Sequence, residues 1–145
     1  MTDKRTIDLD PQSKHSPDRT ATLTATLAKI MQALNHATLD TPAHGLGWPL
    51  SPGDPLHDLA VTAERGAQLY EQYGQALHEQ HEAGDLFTLP GDERGPVEQV
   101  LTTVDAHLVK AVALSTALGE ELRAAFNQAG ALYLRDPNPD DEDEG

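Results

Sequence analysis

The stretch Pro96–Arg135, PVEQVLTTVDAHLVKAVALSTALGEELRAAFNQAGALYLR, decides the fold. Steps of four and three residues in turn from Val97 reach Leu101, Val104, Leu108, Ala111, Ser115, Leu118, Leu122, Ala125, Ala129 and Leu132. All but Ser115 are apolar, and Ser115 is small. This spacing lays one stripe along one side of an α-helix. The phase never breaks, which predicts one helix over 96–135, about 60 Å long at about 1.5 Å per residue. Leu108 and Leu118 then sit in the core near its middle. A helix with one long apolar stripe must bury it against other helices. Gly119 leaves room for a kink without a break in the pattern.

Two helical patterns come before it. The first covers about 17–40, with Ser16 as the cap, Pro17 at the first helical position and a stripe of Leu23, Leu27, Ile30, Leu34 and Ala37. Its many threonines lower its intrinsic propensity, because β-branched side chains lose rotamer freedom in a helix. The second covers about 55–83. It starts at Asp54-Pro55, presents Leu56, Ala60, Ala63, Ala67, Tyr70, Gly74 and Leu77 on one side, and stops at Gly84. Gly66 and Gly74 cost about 1 kcal/mol each against Ala inside a helix. Their presence predicts a neighbouring helix that comes very close. Pro96 repeats the Pro-first pattern for the third helix.

Between the first two helices lies Thr41–Gly53, TPAHGLGWPLSPG, which holds three Pro, three Gly and the chain's one Trp. It is longer than the roughly 2–8 residues that usually join bundle helices. The expected architecture is all-α: an up-down-up three-helix bundle over 16–135 with a long C-terminal helix. Residues 1–15 read as a disordered arm. Residues 136–145, with six acidic side chains, read as an acidic disordered tail.

Composition narrows the function. The chain has 145 residues, no Cys, and 24 acidic against 10 basic side chains, a formal net charge of -14. Cysteine nucleophiles, disulfides and thiolate zinc sites are excluded. Direct binding to nucleic acid or an anionic membrane is disfavoured, since both need clustered Lys and Arg. By this reading no stretch is long and apolar enough to span a bilayer. The charged start lacks the apolar segment of a signal peptide, so the expected location is cytoplasmic.

Few residues suggest chemistry. His78, His81 and Glu82 lie close together near the end of the second helix, but a metal site needs more ligands from a facing helix. An antiparallel hairpin of helices two and three sets His78 near Leu101. Asp105 and His107 then fall out of line, and Glu98 is the nearest acid. No nucleophilic triad, phosphate loop or paired carboxylates stand out, so no enzyme and no cofactor are expected. The same register sets the start of the second helix near Phe126, so Phe126, Leu132 and Tyr133 overhang it. The loop residues Leu46, Trp48 and Leu50 lie at that end. These six are the candidate partner-binding residues, because aromatic anchors dominate binding centres.

The sequence therefore reads as a non-catalytic cytoplasmic adaptor or regulator that binds another protein through its helical surface. A homodimer is the simplest assembly it allows. Two alternatives remain. One is an acidic mimic of nucleic acid that inhibits a DNA-binding protein, supported by Asp58, Glu64, Glu71, Glu79 and Glu82 against Arg65 on the second helix. The other is a helical carrier of a metal or small ligand built on His78, His81 and Glu82.

Overall fold

The computed structural model describes residues 7–39 and 54–132. Three helices and no strand occur among them: α1, Pro17–Leu39; α2, Asp54–Glu82; and α3, Val97–Ala129. The all-α class and the three-helix organisation agree with the sequence reading. The chain divides into two compact units, Met1–Gly47 and Trp48–Gly145, each considered by itself below. The long loop with Leu46, Trp48 and Leu50 lies outside the described residues, as do Tyr133 and the acidic tail.

In the first unit the cap falls where the sequence puts it. Ser16 Oγ accepts the N–H of Arg19 at 3.1 Å, three residues on, and so satisfies one donor of the first turn. The hydroxyls of Thr20, Thr22, Thr24 and Thr26 each donate to the carbonyl four residues back, at 2.7–3.2 Å. That bond lets β-branched side chains sit in a helix with their hydroxyls satisfied. Residues 7–16 do more than the solvated arm expected of them. The Arg19 guanidinium donates to the Asp10 carbonyl at 2.7 Å and the Asp8 carbonyl at 3.4 Å, and the Ser13 N–H donates to Asp10 O. The Ser13 side chain and the Asp10 backbone N–H hold the Asp8 carboxyl below its ordinary range, and Arg19 adds to this. Sequence pattern misses the Arg19 contacts because their acceptors are main-chain carbonyls.

In the second unit α2 and α3 pack antiparallel. Ala60, Ala63 and Ala67 of α2 are buried, as are Leu101, Gly119 and Ala129 of α3. Close approach explains the glycines. A Cβ on Gly66 would meet Ser115 Oγ at 3.2 Å, and one on Gly74 would meet Leu108 Cδ1 at 3.3 Å. On Gly119 it would meet Glu64 Cγ at 3.0 Å and the Ala60 carbonyl at 3.5 Å. Ser115, the polar exception in the stripe, donates to the Ala63 carbonyl at 2.6 Å across the interface.

The stripe on α3 differs from its sequence reading in the second half. Leu118 is 53% exposed and Leu132 64%, and Ala125 is also exposed; Gly119 is buried and Phe126 half-buried. A strict alternation of four and three averages 3.5 residues, whereas a straight helix turns every 3.6. The mismatch is about 20° per heptad. At Leu118, in the third heptad after Leu101, it has reached about 50°. The contact steps on by one residue there, to Gly119, and again from Ala125 to Phe126, while Ala129 of the original stripe stays buried. Leu118 is not a core residue. Gly119 does not break the helix; it is the contact.

The ends also move. α3 stops at Ala129, not Arg135, and Pro96 is its N-cap, one position before the helix rather than inside it. The end of α2 follows the sequence. Gly84 has φ +77°, its N–H donates to His81 O, and the Asp85 N–H donates to Gln80 O. This pairing satisfies carbonyls of the last turn.

The connection 85–95 is held by an ion pair. Arg94 Nε donates to both Asp92 carboxylate oxygens, at 2.8 and 3.0 Å, and the Asp92 N–H donates to Leu89 O. The side-chain and backbone hydrogen bonds from Arg94 lower the Asp92 pKa from 3.8 to about 2. A depressed carboxylate pKa means the clamp is complete above the ordinary carboxylate range and is lost as pH falls through about 2.

Two outcomes are expected. Gly119→Leu should destabilise the hairpin by about 1–3 kcal/mol through overpacking, while Leu118→Ala should cost less than about 1 kcal/mol; urea melts of both variants test the shifted phase. An NMR titration of the Asp92 carboxyl carbon should give a midpoint near 2, and one near 3.8 would show that the clamp is open.

Candidate functional site

The α2–α3 contact leaves two unlike flanks. On one, cross-helix pairs join the helices. Arg123 donates to Glu64, with Nε at 2.8 Å from Oε1 and Nη2 at 2.7 Å from Oε2. His78 Nε2 lies 2.5 Å from Asp105 Oδ2. Beside this pair a cleft of about 440 Å³ opens next to Gly74, with Tyr70, Glu71 and Gln75 on α2 and Leu108, Val109 and Val112 on α3. A His–Asp pair can orient a general base, and the Tyr70 hydroxyl and the Glu71 carboxylate line the same cleft.

The His78–Asp105 bond corrects one expectation: Asp105, one turn past Leu101, is within reach of the His78 side chain. The contacts of Ser115 with Ala63, of Gly119 with Ala60 and of Phe126 with His57 otherwise keep the expected alignment of the two helices.

The other flank is apolar. A turn of 3.6 residues and an antiparallel pairing put Leu59, Tyr73 and Leu77 of α2 on the same side as Val100, Leu114 and Leu118 of α3. Tyr73 is 58% exposed and Leu114 72%. Among the described residues no cross-helix ion pair lies here; the two that join α2 to α3 sit on the opposite flank. Sequence reasoning missed this surface because the 3.5-residue phase assigned Leu118 to the core and left Leu114 unassigned. A wheel drawn at 3.6 residues per turn would have shown it.

Of the six candidate partner-binding residues, the structure describes two. Phe126 is half-buried, its ring centroid 5.3 Å from that of His57 at a tilt of 54°. That contact agrees with the expected pairing of Phe126 with the start of α2, and it covers part of the overhang. Leu132 lies three residues beyond the end of α3 and is exposed. The residues offered for a metal do not converge. Among the described residues no group of three or more His, Asp or Glu side chains could hold an ion, and His78 faces Asp105 instead.

α3 also corrects the membrane expectation. By length and composition alone it could cross a membrane, with a mean hydropathy of 1.2 over 18 residues. Ala, Val and Leu raise the mean although Asp105 and Lys110 interrupt the run. In the hairpin one side of this helix faces α2 and carries the pairs to His78 and Glu64.

No family model, curated protein or solved structure matches the chain.

Saturating zinc should leave the melting temperature of the protein nearly unchanged, since a true site would add several kcal/mol by linkage. Stoichiometric zinc in the purified protein, lost in a His78→Ala and His81→Ala double variant, would overturn this.

Proposed function

We propose that this chain is a non-catalytic adaptor or regulator that acts in the cytoplasm and binds another protein through the apolar flank of the α2–α3 hairpin. The observation that supports this reading is the row of large exposed side chains there: Tyr73, Leu114 and Leu118, with no ion pair among them. Scattered exposed leucines are ordinary; here they share one side of the hairpin, with the exposed His107 between Val100 and Leu114, and apolar surface gathered on one side marks contacts. The hairpin carries thirteen acidic side chains against four basic ones over 54–132. A partner that lays an apolar stripe on this flank and carries Lys or Arg at its edges would meet both features, with charge speeding encounter more than tightening the complex.

The mimic of nucleic acid gains no support from the geometry. Glu64, one of its acids, is neutralised by Arg123, and Asp58 points around α2 away from Glu71 and Glu82.

A Leu114→Glu and Leu118→Glu double variant tests the proposal. Quantitative affinity purification should lose the partner that the wild type enriches, while circular dichroism and the melting curve stay close to those of the wild type. If the same partners persist, the flank is not the binding surface. If the variant unfolds, the flank is core and the reading fails. Sedimentation of both proteins would show whether the partner is a second copy of the chain.

A further inference from the structure

Two charged side chains stand at the α3 edge of the apolar flank, and neither has a partner in its own chain. Lys110 and Glu121 are exposed, and the ion pairs among the described residues include neither. The helix itself supplies no partner. No carboxylate lies three or four residues from Lys110, and no cation lies three or four residues from Glu121. We propose that a second copy of this chain covers this edge, with α3 packed antiparallel on the partner's α3 about a two-fold axis level with Ser115 and Thr116. The proposal rests on the reading that the flank is the binding surface, and it names the partner.

Three observations carry it. The first is phase. Lys110, Leu114, Leu118 and Glu121 follow one another at steps of four, four and three residues, so they share one side of α3. That side is turned away from α2, and all four residues are exposed.

The second is charge. A two-fold axis repeats every contact with the two copies exchanged. Lys110 and Glu121 lie equally far on either side of the level between Ser115 and Thr116. Antiparallel packing there brings Lys110 to the partner's Glu121, and Glu121 to the partner's Lys110. Two charges without partners become two ion pairs, one at each end of the contact. Parallel packing would set Lys110 on the partner's Lys110, which repels. Such rim pairs select orientation more than they add strength. The net charge of -14 acts weakly against the contact, since fields from the remaining acids fall off within about 8 Å at physiological salt.

The third is size. The same alignment sets Leu114 opposite the partner's Ala117 and Leu118 opposite the partner's Ala113. Leu114 and Leu118 are 72% and 53% exposed in the single chain, and both alanines are exposed too. A large side chain facing a small one lets the two helices interdigitate and removes the leucines from water. One alignment therefore satisfies the charges and the volumes together.

The experiment is sedimentation of the full-length protein over a concentration series, with circular dichroism to confirm that each variant is folded. The wild type should dimerise by high micromolar concentration. Lys110→Glu or Glu121→Lys alone should weaken the dimer by about tenfold or more, because the two-fold axis repeats each like-charge contact. An equimolar mixture of the two variants should associate to within about threefold of the wild type, since each brings the charge that the other lacks. Should a reversal fail to fold, Lys110→Gln and Glu121→Gln remove the attraction without adding repulsion, and each should also weaken the dimer. A wild type that stays monomeric would overturn the proposal. So would folded reversals that leave the dimer unchanged, or a mixture no better than its components. If the wild type is monomeric while the Leu114→Glu and Leu118→Glu variant still loses a partner found by affinity purification, the flank binds a different protein and the second-copy assignment alone falls.

Discussion

The closeness of α2 and α3 governs this structure. Where the two helices meet, the sequence offers Ala60, Ala63, Gly66, Ala67 and Gly74 on one side and Ser115, Gly119 and Ala129 on the other. Small residues let backbones approach, and the Ser115 hydroxyl can then reach the Ala63 carbonyl directly. The hairpin is held by short-range packing and a few hydrogen bonds more than by large buried side chains. Burial of a methyl group contributes on the order of 0.8 kcal/mol, so each alanine adds little, and a methyl added at Gly66, Gly74 or Gly119 would crowd a neighbour at 3.0–3.3 Å. The interface is narrow, specific in register and intolerant of bulk.

The same narrowness produces the surfaces. With a seam of alanine and glycine, the large side chains on either helix cannot fit between the backbones and move to the flanks. On one flank the displaced groups are polar and pair across the gap: Glu64 with Arg123, His78 with Asp105. Pairs this exposed contribute about 0–1 kcal/mol each. They serve register more than stability, because each joins residues that only one alignment brings together. On the other flank the displaced groups are Tyr73, Leu114 and Leu118, which have no such partners across the seam. Where the seam widens, next to the connection, it opens into a groove lined mostly by apolar side chains. Flank and groove are both consequences of a contact built from small residues.

Much of this was legible in the sequence, and the errors share one cause. Helix existence, Ser16 as a cap, Gly84 as a stop and Phe126 opposite the start of α2 all followed from local chemistry or from counting residues. The glycines of α2 announced a close neighbour, and Ser115 stood out as the one small polar residue in the stripe. What failed was phase over distance. A 3.5-residue repeat and a 3.6-residue helix agree for two heptads and part by about 50° at Leu118, in the third. That drift moved Leu118 out of the core and Gly119 into it, while Ala129 fits both patterns.

Composition was least informative about site. A net charge of -14 suggests a uniform acidic surface, yet the fold sorts the charge unevenly around the hairpin. Two carboxylates, Glu64 and Asp105, are engaged across the seam, and a third, Asp92, braces the connection. The apolar flank carries none of these pairs. Charge that avoids one side of a helical pair has a physical consequence for recognition. An approaching partner feels the acidic field from a distance, and that field falls off within about 8 Å at physiological salt. At contact it meets uncharged Tyr, Leu and Val. Attraction at long range and desolvation at short range therefore come from different faces of one hairpin, and mutation can alter either alone.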